Sequence, residues 1–212
     1  DAFGPYAGTQ TIDFRDATDA GLFGIYGPTG SGKSSIFSAM TFALFGEAAK
    51  KEQPTPTLRS AHASAELPTE VAFVFELGDK RYLLRRQPEQ SRPKVRGEGE
   101  TSQAHAAWLF DVTDIEVDMI DLDGCGVILA EKKVGQVADQ VSALLGYGAE
   151  QFRQIVLLPQ GRFEKFLTSD SSERLKILRE LFDVSLYRAI TDRLKEEASA
   201  AKREVRDGYS VH

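Results

Sequence analysis

The run of residues from Gly27 to Ser34 carries the clearest chemistry in this sequence. It is Gly-Pro-Thr-Gly-Ser-Gly-Lys-Ser and fits the pattern G-x-x-x-x-G-K-S/T in full. Glycines in such a loop let backbone N–H groups turn around phosphate oxygens, and a helix N-terminus adds partial positive charge there. We expect Lys33 to reach the β- and γ-phosphates and Ser34 to ligate Mg²⁺. The pattern therefore predicts a site for a nucleoside triphosphate, taken here to be ATP, with Mg²⁺.

The residues on either side of this loop fit the architecture that the site requires. Residues 22–26 are apolar and predict a short buried strand, whereas residues 34–45 predict a helix with Ile36, Met40 and Leu44 on one face. A strand, a glycine loop and a helix in this order distinguish a phosphate-binding loop from a glycine-rich turn that binds nothing. The phosphate-binding residues predicted from the pattern are Gly27, Pro28, Thr29, Gly30, Ser31, Gly32, Lys33 and Ser34.

Length and composition restrict the class of protein. The chain has 212 residues, 42% hydrophobic and 27% charged, which is enough for one substantial core with an appendage. No apolar run approaches the ~20 residues of a membrane span, and no leader peptide is visible, although the natural start is expected to precede Asp1. Cys125 is the single cysteine, which is typical of a reducing cytoplasm. The net charge of −6 argues against a uniformly basic nucleic-acid surface.

The first half of the chain predicts an antiparallel sheet beside the phosphate-binding unit. Residues 11–14 predict a short strand, and residues 71–77 and 80–86 predict a hairpin with alternating apolar positions. The polar, glycine- and proline-containing residues 87–104 predict a mobile loop. Residues 108–112 predict a further strand, with a turn around residues 121–124 leading into another hairpin.

The second half is predicted to be helical. Residues 134–145 carry a helical apolar stripe that ends at Gly146, and Asp170 is suited to cap a later helix. The final helix loses its broad apolar face while keeping helix-forming residues, which is typical of a coiled-coil arm leaving a globular domain. A solvent-facing terminal helix is the alternative. We therefore predict a globular, nucleotide-binding domain over residues 1–184 and the start of a coiled coil over residues 185–212.

The acidic residue that should hold Mg²⁺ at the end of a buried strand is missing from the sequence pattern. The only candidates, Asp118 and Asp121, follow short runs that are interrupted by acids, whereas a parallel core strand is a continuous apolar run. Gln160 follows the apolar residues 155–158, which predict a strand, through Pro159. Its amide oxygen could contact Mg²⁺ and sense the γ-phosphate, or it could be an ordinary turn residue.

Residues 152–167 resemble the Q-loop region of the bacterial SbcC family, DNA-repair ATPases related to SMC proteins. Residues 3–6, 24–45 and 58–62 resemble the same family in the same order. The resemblance implies an α/β P-loop NTPase of the ABC-ATPase type, present as an N-terminal lobe with an antiparallel subdomain and a C-terminal helix that enters a coiled coil. It matches Lys33, Ser34 and Ser35 to the phosphate and Mg²⁺ positions and Gln160 to the Q-loop glutamine, with Lys33 and Gln160 in catalytic roles.

The same resemblance implies the partners. A C-terminal lobe of the same polypeptide would supply the signature motif, Walker B and the catalytic glutamate, and a second head would complete an ATP-dependent dimer. An SbcD-type nuclease subunit and double-stranded DNA, bound without sequence specificity, would be the other partners, in a bacterial, nucleoid-associated setting without a membrane. This fragment alone is expected to be inactive. A self-contained P-loop kinase or transporter ATPase, or a nucleotide-binding scaffold without turnover, remains the alternative.

Basic residues concentrate on the first hairpin and the loop after it, and two interpretations stay open. They could contact DNA phosphates, in which case binding would weaken steeply with salt. They could equally form a solvated strand face. These residues are Lys80, Arg81, Arg85, Arg86, Arg92, Lys94 and Arg96.

Overall fold

The computed structural model describes residues 1–49, 54–94, 98–155, 170–171, 191 and 193–199. The chain divides into two compact units, Asp1–Phe152 and Arg153–His212. The described residues of the second unit include the end of one helix and the helical residues 193–199. Leu194 in this segment is exposed. The predicted domain boundary at residue 184, the predicted cap at the start of the Asp170 helix and most of the predicted coiled-coil segment lie outside the described residues.

The first unit combines helices with two antiparallel sheets. Short 3₁₀ helices at Thr55–Leu58 and Val117–Met119 interrupt the connections. The helices are α1 (Arg15–Asp19), α2 (Lys33–Phe45) and α3 (Val134–Leu145), and α4 (Ala149–Ile155) begins in this unit and ends in the second. The strands are β1 (Val71–Leu77), β2 (Lys80–Gln87), β3 (Gln90–Pro93), β4 (Glu100–Gln103), β5 (Ala106–Asp111) and β6 (Val127–Glu131).

The main sheet has the order β1-β2-β5-β6, and every neighbouring pair is antiparallel. The predicted hairpin is confirmed, with pairing from Val71 opposite Arg86 to Leu77 opposite Lys80. Gly78 closes the turn at φ +61°, in the left-handed region that glycine enters without strain. The predicted turn at residues 121–124 is also confirmed, since the Gly124 N–H donates to the Asp121 carbonyl on the way from β5 to β6.

Two helices pack on this sheet and build its core. α2 lies against β1 and β2, and α3 lies against β5 and β6. Val137 and Val141 of α3 are fully buried, as the apolar stripe predicts. Phe42 of α2 is also fully buried and packs with Phe3 and Leu58. Each such side chain contributes roughly 1.5–3 kcal/mol when withdrawn from water, so this cluster fixes the position of α2.

Two predicted strands near the N-terminus are wrong. Residues 22–26 have no strand structure, and Leu22 and Tyr26 are about nine-tenths exposed. A continuous apolar strand is stable only between neighbours that cover it, and no described strand lies beside these residues. Residues 11–14 are also irregular, because the Asp13 carboxylate accepts from the Arg15 backbone N–H at 2.9 Å and leads the chain into α1.

The predicted mobile loop at residues 87–104 instead contains β3 and β4, which pair from Gln90 opposite Gln103 to Pro93 opposite Glu100. Buried amides explain the difference. The Gln90 side chain accepts from the Thr69 N–H at 2.7 Å and donates to the Thr69 carbonyl at 3.0 Å. It therefore makes the two hydrogen bonds to the Thr69 backbone that a neighbouring strand would otherwise make. Polar composition therefore conceals an ordered element here, because its polar groups are satisfied inside the protein. Residues 95–97 are outside the description.

A buried arginine joins the sheet to the C-terminal end of α2. Arg86 is fully buried, and its guanidinium donates to the carbonyls of Ala43 and Leu44 at 2.9 and 3.3 Å. These carbonyls belong to the last turn of α2, where helix carbonyls lack partners and carry partial negative charge. Gly46 ends the helix at φ +75°, and a Cβ there would lie 2.6 Å from the Arg86 Nη1 atom. Arg86 therefore acts as a side-chain cap for α2.

The imidazole of His105 beside this cap makes stability depend on pH. Its Nε2 atom accepts from Arg86 Nη1 at 3.5 Å, and the ring stacks on Phe42. Burial, and secondarily the Arg86 charge, lower the pKa of His105 from 6.5 to about 4. Between these values the unfolded chain binds a proton that the folded chain does not, so stability falls as pH falls through this window.

We expect the free energy of unfolding to decrease by on the order of 1 kcal/mol between about pH 7 and about pH 4.5 through this group, allowing for its partial exposure to solvent. Urea unfolding at both pH values measures the change. His105→Gln should have a correspondingly smaller pH dependence. Equal pH dependence in the variant and the wild type would contradict this assignment.

Candidate phosphate-binding site

The loop before α2 has the backbone shape that the sequence predicts. Gly30 and Gly32 adopt φ values of +85° and +91°, in the left-handed region that favours glycine. Gly32 serves as the N-cap, and α2 begins at Lys33, so the first turn of the helix points its N–H groups towards the loop. The predicted helix of residues 34–45 is confirmed with one additional residue at its start.

The ammonium group of Lys33 lies across the mouth of this loop. Its Nζ atom donates to the carbonyls of Gly27 and Pro28, each at 2.7 Å. An ammonium group has three donors, so one remains for a phosphate oxygen in this position. The loop thus holds its cation beside the helix N-terminus.

The backbone N–H groups of this loop form a set of free donors. Ser31 donates to the Pro28 carbonyl at 3.2 Å and thereby closes the turn. By contrast, the N–H groups of Gly30, Gly32, Lys33 and Ser34 have no acceptor among the described residues. Convergent free N–H groups at a helix N-terminus are suited to an anion, so the donor set fits the phosphates of a nucleotide.

The predicted Mg²⁺ ligand Ser34 lies in the first turn of α2, and Ser35 follows it directly in the same turn. A serine hydroxyl at this position would hold Mg²⁺ together with phosphate oxygens, and Mg²⁺ would neutralise charge on those phosphates. Among the described residues, no group of three or more acidic, histidine or cysteine side chains could hold a metal ion. The protein ligands that this part of the chain offers at the loop are therefore hydroxyl groups.

The segment of residues 3–6 packs against the phosphate-binding loop, a role that sequence patterns did not indicate. The Tyr6 hydroxyl donates to the Gly32 carbonyl at 3.0 Å, and Gly4 adopts φ +58° with Ser35 directly against it. The Gly4 N–H in turn donates to the Leu58 carbonyl at 2.8 Å. Three passages that resemble the SbcC family, at residues 3–6, 24–45 and 58–62, therefore meet around the phosphate-binding loop.

Gly32→Ala should disrupt this arrangement. A Cβ at Gly32 would lie 2.5 Å from the Tyr6 hydroxyl and 2.9 Å from Pro5, and its φ of +91° is strained for alanine. We expect nucleotide affinity to fall by about tenfold or more, because relieving the contact displaces Tyr6 or the loop and disturbs the Tyr6–Gly32 hydrogen bond. Gly30→Ala is the matched control, since its Cβ would meet nothing within 4 Å although its φ is also positive. Equal losses in both variants, measured by calorimetric titration with ATP and Mg²⁺, would show that backbone strain alone is responsible.

The described residues do not place the other predicted site residues at this loop. Gln160 lies outside the described residues, and its role stays a prediction. Residues 155–158 precede Gln160 and are predicted to form a strand. The first of them, Ile155, is instead the last residue of helix α4. Asp118 lies in a 3₁₀ helix and binds Arg15 at 2.8 Å, and Asp121 lies in the turn before β6. Neither acid follows a buried strand.

The basic residues of the first hairpin are largely engaged within the protein. Arg81 binds Glu76 and the Ile115 carbonyl, each at 2.8 Å. Arg85 forms an ion pair with Glu70 and lies over the Trp108 ring at 5.3 Å, and the hydrogen bond to Glu70 raises its pKa. Arg86 is buried against α2, as described above. For these three arginines, the structure favours internal contacts over DNA phosphates.

The phosphate-binding loop and the family match that follows together identify a P-loop ATPase domain. The model of the AAA domain family matches residues 1–206, and the chain belongs to this family. Among individual proteins, it is similar to SbcC, the C component of the SbcCD nuclease, of Vibrio cholerae, with 43% identity over 96% of this chain and 19% of the relative. It is 40% identical to SbcC of Staphylococcus aureus strain Newman over 98% of this chain. These matches confirm the resemblance that the sequence motifs indicated.

The chain spans 19% of the length of these relatives. Within the described ranges, none of the helices combines the length and the apolar character needed to cross a membrane.

Proposed function

We propose that this chain is the ATP-binding lobe of an SbcC-like ATPase head and that its loop binds ATP with Mg²⁺. The observation that carries the proposal is the juxtaposition of Lys33 with the free N–H groups of Gly30, Gly32, Lys33 and Ser34. The names of the relatives support a place in a nuclease complex. In this proposal Gln160 is the Q-loop residue that contacts Mg²⁺ and senses the γ-phosphate.

Hydrolysis in this proposal requires groups that other parts of the assembly supply. A C-terminal lobe of the same polypeptide contributes the signature motif, Walker B and the catalytic glutamate, and a second head closes over the nucleotide. Binding of ATP shifts heads towards the closed dimer only by its differential affinity for that state. The dimer controls access of double-stranded DNA to an SbcD-type nuclease subunit in the bacterial cytoplasm, in association with the nucleoid. The coiled coil beginning near residue 185 connects the two lobes.

Calorimetric titration of the purified chain with ATP tests the nucleotide site. We expect saturable binding of one ATP per chain that is stronger with Mg²⁺ than with EDTA, because Mg²⁺ neutralises phosphate charge. Ser34→Ala should remove most of the Mg²⁺-dependent part while leaving binding in EDTA unchanged. ATP binding with the same affinity in Mg²⁺ and EDTA would contradict the proposed role of Ser34, and no ATP binding at all would contradict the site.

A further inference from the structure

The turn of residues 3–6 is fixed to its surroundings by backbone hydrogen bonds. The Gly4 N–H donates to the Leu58 carbonyl at 2.8 Å, and just before the turn the Ala2 carbonyl accepts from the Ser60 N–H at 2.8 Å. Ala2 and Ser60 are both buried, and a hydrogen bond away from water is electrostatically stronger than one in water. A side chain carried by this turn therefore has a restricted set of positions.

The turn brings the side chain of Tyr6 to the carbonyl group of Gly32. The Tyr6 hydroxyl donates to this carbonyl oxygen at 3.0 Å, and the Ser35 N–H donates to the same oxygen at 2.8 Å. A carbonyl oxygen has two lone pairs, so these two donors use its full capacity. Tyr6 is half-buried and belongs to a different part of the chain from the loop that it contacts. The orientation of the Gly32 carbonyl thus depends on a residue outside the loop.

Holding the Gly32 carbonyl also orients the N–H group of Lys33, because both groups belong to one peptide plane. In a planar trans peptide, the C=O and N–H groups point in opposite directions. The Lys33 N–H therefore points away from the oxygen that Tyr6 holds, and it has no acceptor among the described residues. Gly30 and Gly32 leave the backbone of this loop permissive. A contact that restricts the loop in advance reduces the entropy that ligand binding costs.

The same contact makes the Lys33 N–H a stronger donor. Hydrogen bonds that are arranged in a chain polarise one another, by roughly 10–30% for each bond. Here the chain runs from the Tyr6 hydroxyl to the Gly32 carbonyl and, through the peptide, to the Lys33 N–H. A phosphate oxygen would continue it as an ionised acceptor, which is the class that forms the stronger hydrogen bonds. A phenol group that touches no ligand can thus raise phosphate affinity through the backbone.

We propose that Tyr6 is a positioning residue of the phosphate-binding loop. Its hydroxyl orients and polarises the peptide between Gly32 and Lys33, so that the Lys33 N–H binds a phosphate oxygen of the nucleotide. The inference rests on the proposed function, since it requires that this loop binds a nucleoside triphosphate. It assigns Tyr6 to the affinity for the triphosphate group and not to recognition of the base or the sugar.

Tyr6→Phe tests this proposal, because it removes the hydroxyl group and keeps the aromatic ring. We expect the affinity of the full chain for ATP with Mg²⁺, measured by calorimetric titration, to fall roughly three- to tenfold, as for the loss of one hydrogen bond. Inorganic triphosphate should lose the same factor, because the effect acts at the phosphates. Tyr147→Phe is the matched control and should bind like the wild type. Tyr147 stacks on Phe152, which packs on Phe45 at the other end of α2.

The amide resonance of Lys33 gives a second readout, which loss of packing alone would not change in the same way. A charge-assisted hydrogen bond deshields the amide proton, so this resonance should move downfield when ATP and Mg²⁺ saturate the wild-type chain. The shift at saturation should be smaller in Tyr6→Phe and unchanged in Tyr147→Phe. Urea unfolding should show that both variants are folded under the conditions of the titration, since each keeps its aromatic ring.

Three results would overturn the role of Tyr6 and leave the nucleotide site in place. The first is equal ATP affinity in Tyr6→Phe and the wild type. The second is a loss that appears with ATP but not with inorganic triphosphate, which would put the hydroxyl group in contact with the nucleoside. The third is an equal shift of the Lys33 resonance in both chains. Failure of the wild-type chain to bind ATP would instead overturn the proposed function together with this inference, so the two failures are distinguishable.

Discussion

Lys33→Ala should abolish ATP-dependent dimerisation of complete heads and suppress their ATP hydrolysis. The structure places the Lys33 ammonium at the loop mouth with a donor available for phosphate. Removing one preorganised donor of this kind costs about 2.7–4 kcal/mol of transition-state stabilisation, or a factor of about 10²–10³ in rate. Light scattering at saturating ATP measures dimerisation, and phosphate release measures turnover.

Lys80→Ala is the matched control for this prediction. Lys80 is 62% exposed and lies 3.6 Å from Asp111, remote in sequence from the loop. We expect its dimerisation and turnover to equal those of the wild type, because exposed ion pairs contribute little. Normal dimerisation of the Lys33→Ala heads at saturating ATP would show that the loop does not drive assembly.

Arg86→Met should have the largest effect on folding. The substitution removes a charge-assisted cap from the Ala43 and Leu44 carbonyls and leaves them without their partner. The lost hydrogen bonds and helix-terminus interaction outweigh the relief from burying a charge, and we expect destabilisation of about 3 kcal/mol. For a unit of this size, the melting temperature should fall by roughly 6–12 °C. Differential scanning calorimetry measures the change.

Two companion variants make the Arg86 prediction specific. Arg86→Lys retains the charge but cannot reach both carbonyls with a planar fork, so it should recover only part of the loss. Arg92→Met, at an exposed position in β3, should change stability by less than about 0.5 kcal/mol. If Arg86→Met and Arg92→Met unfold at the same temperature, the capping role of Arg86 is wrong.

Local patterns predicted the elements that local interactions stabilise. The glycine spacing and the following apolar residues predict the loop and α2, and alternation predicts the β1–β2 hairpin. Alternation also carries a signal about the position of Arg86. Arg86 has the same parity as Tyr82 and Leu84, both buried, so the strand pattern itself places Arg86 on the inward face.

Features that depend on distant parts of the chain were not predictable. Residues 22–26 have the composition of a buried strand, but their structure depends on neighbours that composition cannot supply. Tyr6 supports Gly32 across a separation of 26 residues, and no periodicity connects them. Likewise, β3 and β4 form because Gln90 pairs with the backbone of Thr69, a contact that a polar composition hides.

The central claim is that this chain holds the nucleotide-binding half of an ATPase whose remaining catalytic groups lie elsewhere. The most direct test measures phosphate release by the purified chain at saturating ATP and Mg²⁺, with bound ATP confirmed by calorimetry. We predict full occupancy of the site and phosphate release no faster than that of the Lys33→Ala variant. Sustained turnover by the wild-type chain alone, lost on Lys33→Ala, would contradict the claim.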